Sequence, residues 1–407
     1  VLLGDRHRLG DSTKQAFLLS GAIHLLVVSG LHVGMLAAAV WGGLRIVRAP
    51  RRWALLLTAV AVVLYAAVTG WRPPVVRASL LTLLMLLAMG AGRKFSPVQL
   101  LAAAALVVLA VNPAELFRSG TQLSFLSVVV LVRFGQFLNR KVEQDPLDRL
   151  IAETRSWPQQ AARGLAARAS HLTAASLIVW LITAPLVAHH FHLSTPGGIL
   201  VSPVIWPLVA AAIAAGAAAV AVGWAIPPLG WILGAISGAC LDAMHAIVRH
   251  VQDLPIGHYY CPGPAVWWLL IFYAALTLAI ACPRWRPPVR GQAAFLVVWL
   301  AVGLIQIGGL RRDDAALRCT FLAMGHGTCA VLELPGGQTL LYDAGSLGSP
   351  EAAGRTIASF LLSRQISHID AIVVSHADID HYNAVPMLLE MFSVGALYVS
   401  PMMFDCR

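Results

Sequence analysis

Charged side chains are scarce in this sequence: Asp, Glu, Lys and Arg make up 12% of its 407 residues, against 58% hydrophobic residues. Soluble domains carry about a quarter charged residues, so this balance excludes an ordinary soluble enzyme and points to a polytopic membrane protein. Acids are the scarcer sign, 19 against 29 Lys and Arg, for a formal charge of +10. That excess suits positively charged cytoplasmic loops first; a nucleic-acid partner is the less specific second reading. The six cysteines (240, 261, 282, 319, 329 and 406) show no CxxC or knuckle spacing, which excludes a disulfide framework or a cysteine metal site. No GxxxxGK[ST] phosphate loop occurs, so nothing in the chain supplies ATP energy and a motor, if needed, is another protein. Residues 1–16, with Asp5, Arg6, Arg8, Asp11 and Lys14, lack a signal-peptide pattern. The chain starts at Val1 without Met and ends at Cys406-Arg407 soon after a predicted strand, so a piece of a longer protein is expected.

What the sequence does have is long apolar runs. A membrane helix needs about 20 largely apolar residues, and candidate spans are 17–44, 53–70, 75–92, 97–111, 120–138, 171–190, 197–222, 229–250, 265–282 and 292–310. Span 97–111 is short, about 22 Å against a core of about 30 Å. Span 229–250 carries Asp242 and His245 and is expected to lie amphipathically at the interface. The first span encloses HLLVVSGLHVG, in which His24, Ser29, Gly30, His32 and Gly34 interrupt an uncharged run. Polar groups there face a bundle interior or a wet path by default, and Ser29-Gly30 is the expected kink. The plainer alternative is that small residues only let helices approach and the histidines are packing residues.

Arg45, Arg48, Arg51 and Arg52 follow the first span; Arg93 and Lys94 the third; Arg140, Lys141, Arg149, Arg155, Arg163 and Arg168 the fifth; Arg284, Arg286 and Arg290 the ninth. All follow odd-numbered spans, so all can be cytoplasmic together, which makes the segment after Leu310 extracytoplasmic. Arg311, Arg312 and Arg318 weigh mildly against this.

From about Ala315, CTFLAM, CAVLEL and QTLLYDAG read as short strands, Pro350–Ser363 as a helix, AIVVS as a buried strand, Ala384–Met391 as helical and GALYVS as a last strand. Strands alternating with helices indicate an α/β domain. Directly after AIVVS comes Ser375-His-Ala-Asp-Ile-Asp-His381, which places His376, Asp378, Asp380 and His381 within six residues. Two nitrogen and two oxygen donors without a thiolate suit zinc, and the carboxylate share also suits manganese. An adjacent metal pair can activate water and clamp a phosphodiester. The alternative is a solvated polar turn.

That H-x-D-x-D-H run resembles the metal motif of the metallo-β-lactamase superfamily, and Tyr342-Asp343-Ala344-Gly345 resembles its Asp-x-Gly turn. The resemblance implies that His376 and Asp378 bind one divalent metal while Asp380 and His381 serve a second, that Asp380 orients the attacking water, and that Asp343 supports the site. Further ligands of that superfamily lie downstream and are absent from this chain, so weak or no metal binding is expected from it alone. The membrane part resembles the competence domain of bacterial DNA-internalisation proteins, the ComEC family. The likeness rests on AFLLSGAIHLLVVSGLHVG with LLGDR before it, Val75-Val-Arg-Ala78, Asn112-Pro113 with Gly120-Thr-Gln-Leu-Ser-Phe125, and Thr183-Ala-Pro-Leu186 with His190-Phe-His192 and Pro196 to Pro203, while Met324-Gly-His-Gly327 resembles the turn that opens the family's hydrolase domain. There are departures. Arg118 and Thr121 alter the usual DPGFQLSF wording, Ser202 stands where Asn is common, Thr328 replaces a frequent Asp, and His381-Tyr-Asn-Ala replaces the usual DHIGG.

The expected fold is a polytopic α-helical membrane bundle followed by an incomplete metallo-β-lactamase-like αβ/βα domain: 1–16 an extracytoplasmic lead-in, 17–310 the transmembrane domain, 315–407 the start of the hydrolase domain. The resemblance implies a bacterial inner-membrane channel that takes up single-stranded DNA, with an outward-facing nuclease degrading the other strand. The implied partners are DNA, the lipid bilayer, an extracytoplasmic DNA receptor, a cytoplasmic ATP-driven motor and a possible second copy of the chain. Arg77, Gln122 and Ser124 join His24, Ser29, Gly30, His32 and Gly34 as candidate path residues. Arg77 snorkelling to the interface, and hydrogen bonds between helices for Gln122 and Ser124, are their plainer readings. His189, His190 and His192 read as interfacial rather than metal-binding. Two alternatives stay open: a membrane-anchored metallohydrolase of another phosphoester or small molecule, and a transport module with a non-catalytic outer domain.

Overall fold

The computed structural model describes residues 11–26, 30–94, 96–138, 156–254, 257–282, 284, 288–309 and 316–401. Ser29, Arg140, Lys141, Arg149, Arg155, Arg286, Arg311, Arg312 and Cys406 fall outside them. The chain forms two units, Val1–Thr183 with Thr195–Tyr259, and Ala184–Ser194 with Tyr260–Arg407.

The helical part runs α1 Asp11–Leu19, α2 Ile23–Leu26, α3 Gly30–Ile46, α4 Arg51–Val68, α5 Pro73–Gly90, α6 Pro97–Val111, a 3-10 turn at Pro113–Phe117, α7 Ser119–Leu138, α8 Trp157–Phe191, α9 Gly198–Val222, α10 Pro227–Gln252, α11 Val266–Ala281 and α12 Val289–Gly309. Proline opens α5, α6 and α10, where its missing N–H is no loss. Ser96 and Gln99 close a reciprocal capping box on α6. Among the described residues five helices, α4, α5, α8, α9 and α10, are long and apolar enough to cross a bilayer, and shorter apolar helices fall in the remaining candidate spans.

Three helix expectations change. The first span is not one helix: α1 stops at Leu19 and the chain turns through Gly21 at φ +74°. A Cβ on Gly21 would come 2.7 Å from Thr195 Oγ1, so a contact 174 positions downstream requires glycine there. The expected kink at Ser29-Gly30 falls at the edge of residues 27–29, which lie outside the described residues. Second, α8 begins at Trp157, well before residue 171. Third, α10, at Pro227–Gln252, is long and apolar enough to cross a bilayer, so its length does not confine it to the interface.

Within the first unit, Phe17 and Ala22 pack with Val201, Ile205, Met244 and Val248 in the groove of α9 and α10. A second cluster joins Val33 and Ala37 of α3, Val62 and Ala66 of α4 and Val75 of α5.

The C-terminal domain is a five-stranded sheet in sequence order: β1 Arg318–Phe321, β2 Ala330–Glu333, β3 Thr339–Tyr342, β4 His368–Val374 and β5 Ser393–Val399. The first three strands are antiparallel; β3–β4 and β4–β5 are parallel. Helices α13 Pro350–Ser363, α14 Ile379–Tyr382 and α15 Val385–Met391 supply the crossovers that parallel pairing needs. The core holds Val331, Leu341, Ile357, Leu361, Ile372 and Leu388, all fully buried.

Candidate functional site

Because β3 and β4 run parallel, with Tyr342 opposite Val373, both deliver their C-terminal ends to one sheet edge, the usual place for a site in such sheets. Asp343 follows β3 and Ser375 follows β4. The ladder continues one step further, Asp343 N–H donating to Val373 O at 2.8 Å, before Asp343 turns to φ +59°.

Three turns are laced together there. Ala344 donates to His381 O at 2.7 Å, Ala384 to Ala344 O at 3.0 Å and Leu347 to His326 O at 2.6 Å. A Cβ on Gly345 would lie 2.4 Å from the Asp380 carbonyl carbon, so only glycine lets the Asp-x-Gly turn reach the motif helix.

Asp343 is 1% exposed. Its Oδ1 accepts from Ser375 N–H at 2.8 Å, its Oδ2 from Ser375 Oγ at 2.8 Å, and His381 Nδ1 lies 2.8 Å from the same Oδ2. A carboxylate on Nδ1 sets the tautomer and leaves Nε2 free to act as a ligand, the carboxylate–histidine arrangement of metal sites. That Nε2 lies 3.8 Å from Asp380 Oδ2. The His376 ring centre is 3.9 Å from that of His381, and His376 Nε2 is 3.0 Å from Asp378 Oδ2. The four motif side chains share one edge, Asp378 the most open and His381 the most enclosed. Among the described residues no group of three or more His, Cys, Asp or Glu side chains is disposed as a metal cage. The donor set, with one imidazole oriented from behind by a buried carboxylate, nevertheless fits a divalent ion. Nearby, burial first, then Asp343, pushes the Cys329 thiol up to about 12.

Two residues to which the sequence assigned no role complete the site. Ser375 bridges Asp343 and His376, its Oγ 2.8 Å from His376 Nδ1; its position directly before the motif was the available signal. Asn383, noted only as a departure, accepts from Ser346 N–H at 3.1 Å and donates to Ser346 O at 2.6 Å. Its amide ties the Asp343 turn to α14.

The membrane candidates are scattered. His24 is exposed, its Nδ1 3.2 Å from Gly21 O. Gly30 faces Ala78, 3.4 Å from where its Cβ would be. His32 is buried, and Gly34 has open space where a Cβ would be. Arg77 is buried, donating to Thr121 Oγ1 at 3.2 Å and Gly120 O at 3.1 Å, with Glu115 Oε2 at 3.8 Å. Glu115 in turn accepts from Arg118 and Thr121. Gln122 Nε2 donates to Leu116 O at 2.8 Å, and Ser124 is half-buried on α7. The structure therefore gathers Arg77 with the start of α7 and Gly30 with α5.

A family model described as Competence protein matches residues 1–286, and one described as Metallo-beta-lactamase superfamily matches residues 323–401. ComE operon protein 3 of Bacillus subtilis (strain 168) is 25% identical over 426 aligned residues, covering 98% of this chain and 50% of its own length. The chain thus spans about half the length of that curated relative. No solved structure matches the chain.

Proposed function

The chain belongs to the competence protein family, and on that premise we propose that it serves DNA uptake across a bacterial inner membrane: one strand passes the helical part, and the C-terminal domain hydrolyses the other on the outer side. The observation that carries the hydrolase half is the buried Asp343 carboxylate on His381 Nδ1 beside the H-x-D-x-D-H run. His376 and Asp378 are the residues to hold one zinc or manganese ion, Asp380 and His381 a second, in the full-length protein. When bound, such ions lower the pKa of a water and clamp the attacking and leaving oxygens of a phosphodiester. Asp343 and Ser375 orient the imidazoles; Asp380, at the open edge, aligns the water.

For the membrane half, the proposed path takes in His24 of α2, Ser29, and Gly30, His32 and Gly34 of α3, with Gln122 and Ser124 on α7. Arg77 shapes this path by holding α5 against α7. The loop charges supply the orientation, because a nuclease that trims the excluded strand stands on the entry side. An extracytoplasmic DNA receptor, a cytoplasmic motor and a second copy of the chain are the partners this scheme calls for.

One observation favours a second reading. Arg77 and Gln122 both close on groups of their own neighbourhood, as expected if the helices only anchor a hydrolase. Uptake of end-labelled duplex DNA by cells carrying the full-length gene separates the two. Gly30→Val and His32→Leu stop entry while release of fragments of the excluded strand persists; Asp380→Ala abolishes that release. Normal transformation in the first pair overturns the conduit, and unchanged release in the last overturns the assigned site.

A further inference from the structure

The segment from Tyr260 to Pro264 precedes α11 and plays no part in the site above. One side of it is fastened to the end of α8. Cys261 N–H donates to His192 O at 3.0 Å, and His189 Nδ1 lies 2.9 Å from Pro264 O. Gly263 crosses so close that a Cβ there would come 2.7 Å from His189 Cα. His192 is itself buried and held at φ +51°, a left-handed conformation uncommon outside glycine, though histidine adopts it more readily than most residues. The backbone at this corner is thus defined by packing on both sides.

The other side reaches the C-terminal domain. Tyr260 is half-buried and packs against the buried core of that domain. Its phenol is pushed above its ordinary value, by burial first, with Arg355 and Glu390 acting on it in opposite directions. Those two charges belong to α13 and α15, which pack on each other. A tyrosine suits such a position: its ring buries a large apolar area while the hydroxyl keeps a polar tip.

We propose that Tyr260 is a latch, by which the loop before α11 grips the α13–α15 side of the C-terminal domain. The end of α8, residues 260–264 and that domain then move as one piece. They also lie on one side of the bilayer. The domain is held rather than swinging on its connection to α12, and this is true whatever its substrate.

The test uses the full chain in native membranes, with a photoreactive benzoyl-phenylalanine at position 260 and a protease site placed within residues 310–317. After irradiation and cleavage, the two halves stay joined and the cross-linked peptide maps within 350–391. Separation of the halves, or capture of lipid alone, overturns the latch. Independently, Tyr260→Ala raises the cleavage rate at the inserted site several-fold while Tyr260→Phe, which keeps the ring, leaves it near the parent rate. Equal rates in all three chains overturn it as well.

Discussion

His381 Nδ1 lies 2.8 Å from Oδ2 of Asp343, a carboxylate shut away at 1% exposure behind the ring it orients. An amide in its place offers only one acceptor oxygen where the carboxylate now takes Ser375 N–H, Ser375 Oγ and the imidazole together. Asp343→Asn should therefore weaken zinc or manganese binding by the full-length protein by about 10–100-fold, the usual loss when a supporting partner of a metal-ligating histidine is removed. Calorimetric titration of the purified protein measures it. Equal affinity in parent and variant would mean that His381 needs no orienting group.

Asn383 makes its two bonds to both backbone groups of Ser346, and Ser346 Oγ in turn donates to Met324 O at 2.8 Å. Truncation leaves those backbone groups to water or to nothing, a cost on the order of 1–3 kcal/mol. For Asn383→Ala we expect faster hydrogen exchange at the Ser346 amide, by one to two orders of magnitude, with little change in the β4 ladder. Exchange read by mass spectrometry resolves the two regions. Protection unchanged at residue 346 would remove the clamp.

Cys329 yields a pH signature. Its folded value of about 12 stands above the ordinary 9, so the folded protein keeps the proton while the unfolded chain gives it up. Stability from this group is whole below pH 9 and falls as pH rises from about 9 to about 12. The same shift makes the thiol a poor nucleophile near neutral pH, because the thiolate is the reactive form. In the native protein a maleimide dye should label exposed Cys319 and spare buried Cys329, and urea should equalise them. Equal labelling without urea would refute the buried, neutral thiol.

How far these features can be read from the sequence follows from their range. The candidate metal motif is local, four ligand-type residues within six positions after a buried strand, and the five strands of its domain were legible from their apolar runs and glycine turns. The ten apolar stretches were likewise a matter of composition. The close approach of Thr195 to Gly21 was not legible, because the two lie 174 positions apart. Nor was the role of Asn383, whose partner Ser346 lies 37 positions away. Arg118, Thr121 and Asn383 stood out in the sequence only as departures from the family wording, and all three turn out to be the donors or acceptors of local locks. A departure says that a residue is unusual; only packing says what it holds.

The lock around Glu115 gives the strongest stability prediction. Glu115 and Arg77 are both buried, and Arg118 and Thr121 also bond the Glu115 carboxylate. Removing one partner of a buried pair strands the other charge in a low dielectric, which typically costs 3–5 kcal/mol, whereas replacing both by apolar residues of similar volume is often neutral. Glu115→Ala leaves the Arg77 guanidinium with Thr121 and Gly120 only, and should lower the thermal midpoint of the purified protein in detergent by many degrees. Arg77→Met combined with Glu115→Leu should recover most of that loss, because no unpaired charge remains and Arg118, largely exposed, reaches water. The coupling between the two sites, taken from the double-mutant cycle, should exceed 1 kcal/mol, within the range of about 0.5–3 kcal/mol for contacting residues. Additive losses would show that the pair is not a unit. In that case Arg77 holds α5 to the start of α7 through Thr121 and Gly120 without help from Glu115.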